Sequence, residues 1–401
     1  MKTAANDMDE TTSASAEKER LETTKNLLRE IIRLNPSKSE YLESLGEVLD
    51  DLGDYANAIT AYQNALQISP NDPEIHNNLG IVLERYEKYD EAMAEYQMAA
   101  QLDPNYAVPY LNLGMLEENM GQLQSALSSY RHAIEIKPDY VRVYQRLGNL
   151  LDEIKHYQEA VDIFKKGIEI DPDDANMHND LAIALKHLGR YREAVEEYSI
   201  AIRLQPEADT YNNLGLVFSS LNQEEEAVAA YHKALELSPD DAEIFMNLGV
   251  SLDNLGHYEK ALSAYQESIR INPQNPKAHY NMGINRIWSG QISDAIDAFK
   301  ASLEIRPDDV ETLINLGSAL QKYGDTEQAL SNLQRAVYVD PRNAETHYTL
   351  GLAYADQGEI TAARREWEQV IAINSNDEIR ISAENMLTAT YLTAPLSKED
   401  N

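Results

Sequence analysis

Ten prolines recur along the chain, at Pro36, Pro70, Pro104, Pro138, Pro172, Pro206, Pro239, Pro273, Pro307 and Pro341. Each step is 34 residues except the one from Pro206 to Pro239, which is 33. A single globular core gives no reason for such a spacing. A stack of near-identical helical hairpins does, because every hairpin has to stop and turn at the same place.

Other ladders share this period. A Leu-Gly pair runs from Leu45-Gly46 to Leu350-Gly351, with Leu181-Ala182 and Met282-Gly283 as variants. Alanines follow, from Ala58 to Ala363, and four residues after each comes a large group: Tyr62, Tyr96, Tyr130, Phe164, Tyr198, Tyr231, Tyr265, Phe299, Leu333 and Trp367. A mostly small residue sits three positions further on, from Ala65 to Val370. The spacing of Ala58, Tyr62 and Ala65 puts all three on one helix face. Small groups there let two antiparallel helices approach closely, and the large ones fill the space opposite. Between the two helices of a hairpin stand Gly53, Gly121, Gly189, Gly256, Gly290, Gly324 and Gly358. A positive φ costs little there for glycine, and Glu87, Lys155 and Asn222 take the same place at some local cost. Asp72-Pro73 and Asn275-Pro276 read as N-caps followed by proline in the first turn. The one missing residue falls in the link 206–209, which predicts a tightened loop between intact helices.

This pattern resembles the tetratricopeptide repeat, with its Leu-Gly pair, central turn, alanine, aromatic, alanine and proline. The resemblance covers residues 39–377 in ten consecutive repeats and implies an all-α, right-handed superhelix, an α-solenoid with capping helices at both ends. The expected organisation is a disordered acidic tail (1–15), an N-terminal capping helix (16–38), ten repeats (39–377), a C-terminal capping helix (378–392) and a disordered tail (393–401). Leu21, Leu27, Leu28, Ile31 and Ile32 are expected on one face of the first cap, and Ile379, Ala383, Met386, Leu387 and Tyr391 on one face of the last.

Composition narrows the partner. Asp plus Glu number 68 against 34 Lys plus Arg, a net charge of −34, and such a field repels nucleic acid and anionic membranes. The chain has no cysteine, so thiolate metal sites and disulfides are excluded. No secretory signal, transit peptide or spanning apolar run is read, and a cytoplasmic protein is expected. No phosphate-cradling loop, hydrolase elbow or zinc motif occurs, so neither an enzyme nor a cofactor is expected. His76, His178, His279 and His347 occupy equivalent places and are read as semi-buried packing rings with one hydrogen bond each. Adjacent pairs such as Glu117-Glu118 and Asp152-Glu153 point about 100° apart and form no catalytic dyad.

In stacked hairpins the first helix lines the concave side, and one polar position recurs there: Asn78, Asn112, Asp180, Asn213, Asn247, Asn281 and Asn315. A side-chain amide both donates and accepts, which suits an extended peptide backbone. The row is similar to the asparagine ladder of the superhelical repeat domain of O-linked N-acetylglucosamine transferase, although that enzyme's catalytic half has no counterpart here. Arg142, Arg146 and Asn112 resemble part of the carboxylate clamp of chaperone-binding repeat adaptors, with Asn77 and Ile81 departing from that pattern. A surface ion-pair cluster with Glu117, Glu118 and Asp152 is the alternative reading. Trp288 stands in an otherwise polar register and is read as an exposed anchor, in a patch with Ile287 and Tyr280. Asp50, Asp51, Glu84, Glu118, Asp152 and Glu153 load the N-terminal half with negative charge. The expected function is a non-catalytic scaffold, monomeric, that grips extended segments of other proteins, basic ones included. A chaperone-linked adaptor, a self-assembling subunit and a regulatory subunit are the alternatives.

Overall fold

The computed structural model describes the backbone of residues 2–373 and 377–393, and the side chains of 16–373 and 378–390. The chain divides into two compact units, Met1–Leu204 and Gln205–Asn401. The first opens with α1 (Lys2–Leu34) and continues as five hairpins. These are α2 (Ser39–Asp51) with α3 (Tyr55–Ile68), α4 (Pro73–Arg85) with α5 (Tyr89–Leu102), α6 (Ala107–Asn119) with α7 (Leu123–Ile136), α8 (Val141–Glu153) with α9 (Tyr157–Ile170), and α10 (Ala175–His187) with α11 (Tyr191–Leu204). The second unit holds five more: α12 (Ala208–Ser220) with α13 (Glu224–Leu237), α14 (Ala242–Asn254) with α15 (Tyr258–Ile271), α16 (Pro276–Trp288) with α17 (Ile292–Ile305), α18 (Val310–Tyr323) with α19 (Thr326–Val339), and α20 (Ala344–Asp356) with α21 (Ile360–Ala372). It ends in α22 (Asp377–Thr393). Among the described residues every element is a helix, and the chain is an all-α solenoid of helical hairpins.

Nine of the ten hairpins close by laying a large side chain over a glycine, and in α10–α11 Ala182 takes the glycine's place. Tyr130 lies against Gly114 so closely that a Cβ on the glycine would stand 2.4 Å from the ring. The same contact recurs from Tyr62 on Gly46 to Trp367 on Gly351. The alanines flanking these groups, such as Ala126 and Ala133 beside Tyr130, have no exposed surface. Side-chain volume is thus exchanged for helix proximity at fixed points, which sets the depth of the core. Within each unit the second helix of one hairpin packs on the first helix of the next.

The turns follow the sequence reading. Seven glycines adopt positive φ, and the only other described residues that do are Glu87 (φ 61), Lys155 (φ 65) and Asn222 (φ 57). Asp72 and Asn275 accept backbone N–H bonds as N-caps ahead of Pro73 and Pro276. The missing residue shortens the link between α11 and α12 to residues 205–207, whereas α5 and α6 are joined by 103–106. α11 keeps 14 residues and α12 keeps 13. The division between the two units falls at this link.

At the ends, one expectation is corrected. α1 runs over Lys2–Leu34. Residues 2–15 contain neither glycine nor proline, so nothing in them stops the helix. Leu27 is 60% exposed, while Leu28 and Ile32 pack on the first core. The inward stripe is Leu21, Leu28, Ile31 and Ile32, and Leu27 lies one residue, about 100°, away from Leu28. In α22, Ala383 and Leu387 are buried against Trp367 and Val370, with Ile379 and Met386 packed beside them. The side chain of Tyr391 and the tail at 394–401 lie outside the described residues.

The equivalent histidines are structural, yet three of them have two partners each. The Nε2 atoms of His76, His178 and His347 face the carbonyls of Pro70, Pro172 and Pro341 at 3.0–3.1 Å. Their Nδ1 atoms face Glu95, Glu197 and Glu366 at 2.5–2.6 Å. A carbonyl only accepts, so Nε2 carries a proton, and a second proton lies between Nδ1 and the carboxylate. Each ring thereby ties the first helix of its hairpin to the second helix and to the preceding proline turn. Tyr144 donates to the Pro138 carbonyl from the same register.

Two stability outcomes follow from this packing. Gly114→Ala should cost about 1–3 kcal/mol in denaturant unfolding, because the Tyr130 ring has no free volume to move into. Lys155→Gly should gain roughly 0.5–1 kcal/mol by relieving a side chain held at positive φ, and an unchanged midpoint would contradict that account.

Candidate functional site

The first helices form the inner side of each unit. α4 packs on α6, α6 on α8 and α8 on α10 in the first unit, and α12 on α14, α14 on α16 and α18 on α20 in the second. No second helices pack on one another comparably among the described residues. Side chains in the polar ladder therefore line this inner face, and the structure shows what already holds them. Asn112 donates to Asn77 at 2.9 Å, Asn247 to Asn212 at 3.1 Å, and Asn315 to the Tyr280 hydroxyl at 3.1 Å. Asp180 accepts from Gln145 at 3.1 Å. All four bonds join residues 35 apart. That is one more than the repeat, because each ladder residue meets the position just before its counterpart on the neighbouring hairpin. Asn78 accepts from Asn77, and Asn213 and Asn281 are half-buried in the same register. Asn315 donates also to the Glu311 carbonyl, at 3.0 Å, whereas Asn112 and Asn247 each use one side-chain N–H in the ladder. This stitching was not read from the sequence, although the separation of 35 is visible there once the period is known.

Arg142 and Asn112 meet in a cleft of about 450 Å³ on the inner face of the first unit, with Ile81, Tyr89, Met115 and Asn119. Arg146 is exposed one helical turn from Arg142 and does not line the cleft. The acids expected to neutralise the arginines have other partners. Glu117 accepts from Ser129 at 2.7 Å, Glu118 from the Tyr130 hydroxyl at 2.6 Å, and Asp152 faces His187 at 2.9 Å. Among the described residues neither Arg142 nor Arg146 forms an ion pair, so the alternative of an ion-pair cluster does not hold. The wider acidic row also has partners: Asp50 pairs with Arg85, and Glu84 accepts from the Tyr96 hydroxyl.

These hydroxyl bonds explain Ile287. Tyr96, Tyr130 and Tyr265 each donate to an acid twelve residues earlier, Glu84, Glu118 and Asp253. Where the ring is Phe164 there is no hydroxyl, and Asp152 is released to His187. Where it is Phe299 the paired position is Ile287, which packs into the adjoining apolar cluster. Trp288 is 52% exposed, as the sequence implies, and its ring rests 6.0 Å from Tyr258. Ile287 and Tyr280 do not extend an exposed patch with it. Both pack in the core around Phe299, and the Tyr280 hydroxyl donates to Glu311 at 2.6 Å.

Burial shifts two acids on the inner helices, the buried Asp253 and the half-buried Asp180. Burial raises the Asp253 carboxyl above its ordinary 3.8, against bonds from Asn285 and Tyr265 that pull it down. Asn285 donates at 2.6 Å to Asp253 and at 2.9 Å to the Tyr258 carbonyl. Asp180 is raised in the same way, opposed by amides of Gln145, Asn149 and Asn179. A carboxyl raised in the folded state favours folding while protonated, and that contribution is lost as pH climbs through its folded value. Asp253→Asn should therefore gain stability relative to the parent chain as pH rises from the ordinary carboxylate range towards neutrality. Parallel urea midpoints against pH would contradict it.

Family models described as tetratricopeptide repeat match residues 46–85, 254–284 and 322–358, together with 73–106, 119–179, 155–214, 208–241, 230–263 and 344–377. Between them they take in well over half of the chain. No curated protein matches the sequence. Among solved structures, YrrB, described as a TPR protein with an unusual peptide-binding site, is 25% identical, with a TM-score of 0.40, over 46% of this chain and 95% of its own. MamA from Desulfovibrio magneticus RS-1 is 22% identical, with a TM-score of 0.40, over 43% of this chain and 97% of its own. Cut9 in the APC/C hetero-tetramer Cut9–Hcn1 is 15% identical, with a TM-score of 0.47, over 94% of each chain. With its repeat read along the sequence, its hairpins closed by ring on glycine and these models matching in succession, the chain belongs to the tetratricopeptide repeat family.

Proposed function

We propose that the chain is a non-catalytic scaffold that holds extended segments of partner proteins along the inner faces of its first helices. A tetratricopeptide repeat chain is a protein–protein interaction scaffold, and the finer reading concerns how and where this one grips. The observation that carries it is the inner cleft of the first unit, where Arg142 has no ion pair among the described residues in a chain of net charge −34. A guanidinium N–H of Arg142 donates to the Met115 sulfur at 3.9 Å. A guanidinium with open donors, in a cleft that also holds Asn112, apolar side chains and the Glu84 and Arg85 side chains, suits a peptide carrying one acidic group. The side-chain amides of Asn112 and Asn247, each with one N–H in the ladder, suit its backbone, with Asn78, Asn213, Asn281 and Asn315 in the same register. Trp288, half exposed on Tyr258, offers an anchor for an apolar side chain in the second unit.

The same observation favours a second reading, an adaptor that reads a C-terminal carboxylate. The two arginines stand one turn apart on α8, and neither has an ion pair among the described residues. The two readings part on amidation. A peptide held by its backbone and an internal acid binds equally with its C-terminus amidated, whereas a C-terminal reader loses it.

The test is selection of displayed random peptides on the full chain, followed by fluorescence anisotropy of the selected sequences. Binding should weaken about tenfold or more in the Arg142→Ala/Arg146→Ala variant. Selected peptides that bind the variant as tightly as the parent chain would refute the inner cleft as the site.

A further inference from the structure

One hairpin of the second unit lacks a group that three of its siblings carry. In the hairpins α4–α5, α10–α11 and α20–α21, a histidine is bracketed by a proline carbonyl on Nε2 and by a glutamate nineteen residues on at Nδ1. In α16–α17 the first half persists: Nε2 of His279 donates to the Pro273 carbonyl at 3.1 Å. The residue nineteen positions on is Ala298. Nδ1 of His279 is left buried without a hydrogen-bond partner. No carboxylate of the hairpin takes the place that the glutamates of the siblings hold. A cleft of about 410 Å³ lies between α15 and α17 over α16, with Ile269, His279, Met282, Arg286 and Ala298 among its lining residues.

We propose that this cleft receives a carboxylate side chain of a partner polypeptide, which takes at His279 the place that Glu95, Glu197 and Glu366 hold in their own hairpins. The ligand chemistry is read from the siblings. With Nε2 committed as a donor to a carbonyl, Nδ1 pairs with a carboxylate through one shared proton. A buried polar atom left unpaired is costly, so a group that pairs it gains more than a surface contact would. Ile269, Met282 and Ala298 supply apolar walls that strengthen such a bond by excluding water. Arg286 adds a cation, paired within the chain with Asp294 at 3.5 Å and donating to Gln291, and Asp294 lines the cleft as well. Asp297 is exposed and also lines the cleft, and it selects for a single carboxylate between basic groups over a run of acids. Nδ1 is closed to solvent, so the entering group has to displace a neighbour. Met282, unbranched and lining the cleft, is the pliable one. The site lies over the outer helices of the second unit and is independent of the inner faces assigned to peptide binding.

The probe is propionate, the side chain that Ala298 lacks. Thermal unfolding of the full chain is followed in sodium propionate and in sodium chloride of equal ionic strength, together with nitrogen NMR of the histidine rings. The parent chain should melt roughly a degree higher in propionate, and the His279 resonances should move in a saturable way. Ala298→Glu fills the cleft from within and should abolish both responses, as should His279→Phe. The Arg142→Ala/Arg146→Ala variant should retain them. Equal responses in the parent chain and in His279→Phe would overturn the proposal. So would their loss in the arginine variant, which would assign the anion to the inner cleft, and so would the absence of any saturable change at His279.

Discussion

The contact on which the rest of the structure depends is a ring laid on a glycine. Tyr130 on Gly114, and its counterparts from Tyr62 on Gly46 to Trp367 on Gly351, fix how closely the two helices of a hairpin lie. Once that distance is fixed, the alanines on either side of the ring have one depth available, and the next hairpin meets a surface of known shape. The ring also brings a hydroxyl into a nearly dry place, and a buried hydroxyl needs a partner. Glu84, Glu118 and Asp253 supply it, and their carboxylates are thereby drawn into the scaffold. Part of the acidic row of the inner face is therefore held in place by the scaffold.

A second class of bonds joins hairpins to one another. Residues 35 apart on successive first helices, such as Asn112 with Asn77 and Asn247 with Asn212, place a row of hydrogen bonds along the inner face. Arg85 with Asp50 and His187 with Asp152 form a similar row near the turns. These bonds orient the amides that remain available to a bound chain. Binding and stacking thus draw on the same side chains, and a ligand meets groups already held in place.

Much of this was legible in the sequence, and for a physical reason: a strict period forces equivalent residues into equivalent surroundings. The proline and Leu-Gly ladders place every hairpin, and Glu87, Lys155 and Asn222 are identified as left-handed by their alignment with glycines. The gap at 206–209 is absorbed in the loop because a deletion inside a helix would turn every later side chain by about 100°. What escaped the sequence depends on contacts between different positions. The second partner of His76, His178 and His347 lies nineteen residues away on another helix. Ile287 looks anomalous until it is set against Phe299. The acids near Arg142 look like its partners until Ser129, Tyr130 and His187 are found to hold them.

The pairing of ring and acid within a hairpin has a consequence for how such an array can grow. Tyr130 with Glu118, or Phe299 with Ile287, travels as one unit when a hairpin is copied, so duplication of a whole hairpin carries its internal chemistry intact. The bonds at a separation of 35 behave differently, because each has one end in the neighbour. A hairpin spliced in alone would arrive with a ladder amide facing an unfamiliar residue, and only a block of adjacent hairpins preserves both ends. Recombination in such a gene would therefore favour segments of two or more repeats, with breakpoints in the proline links.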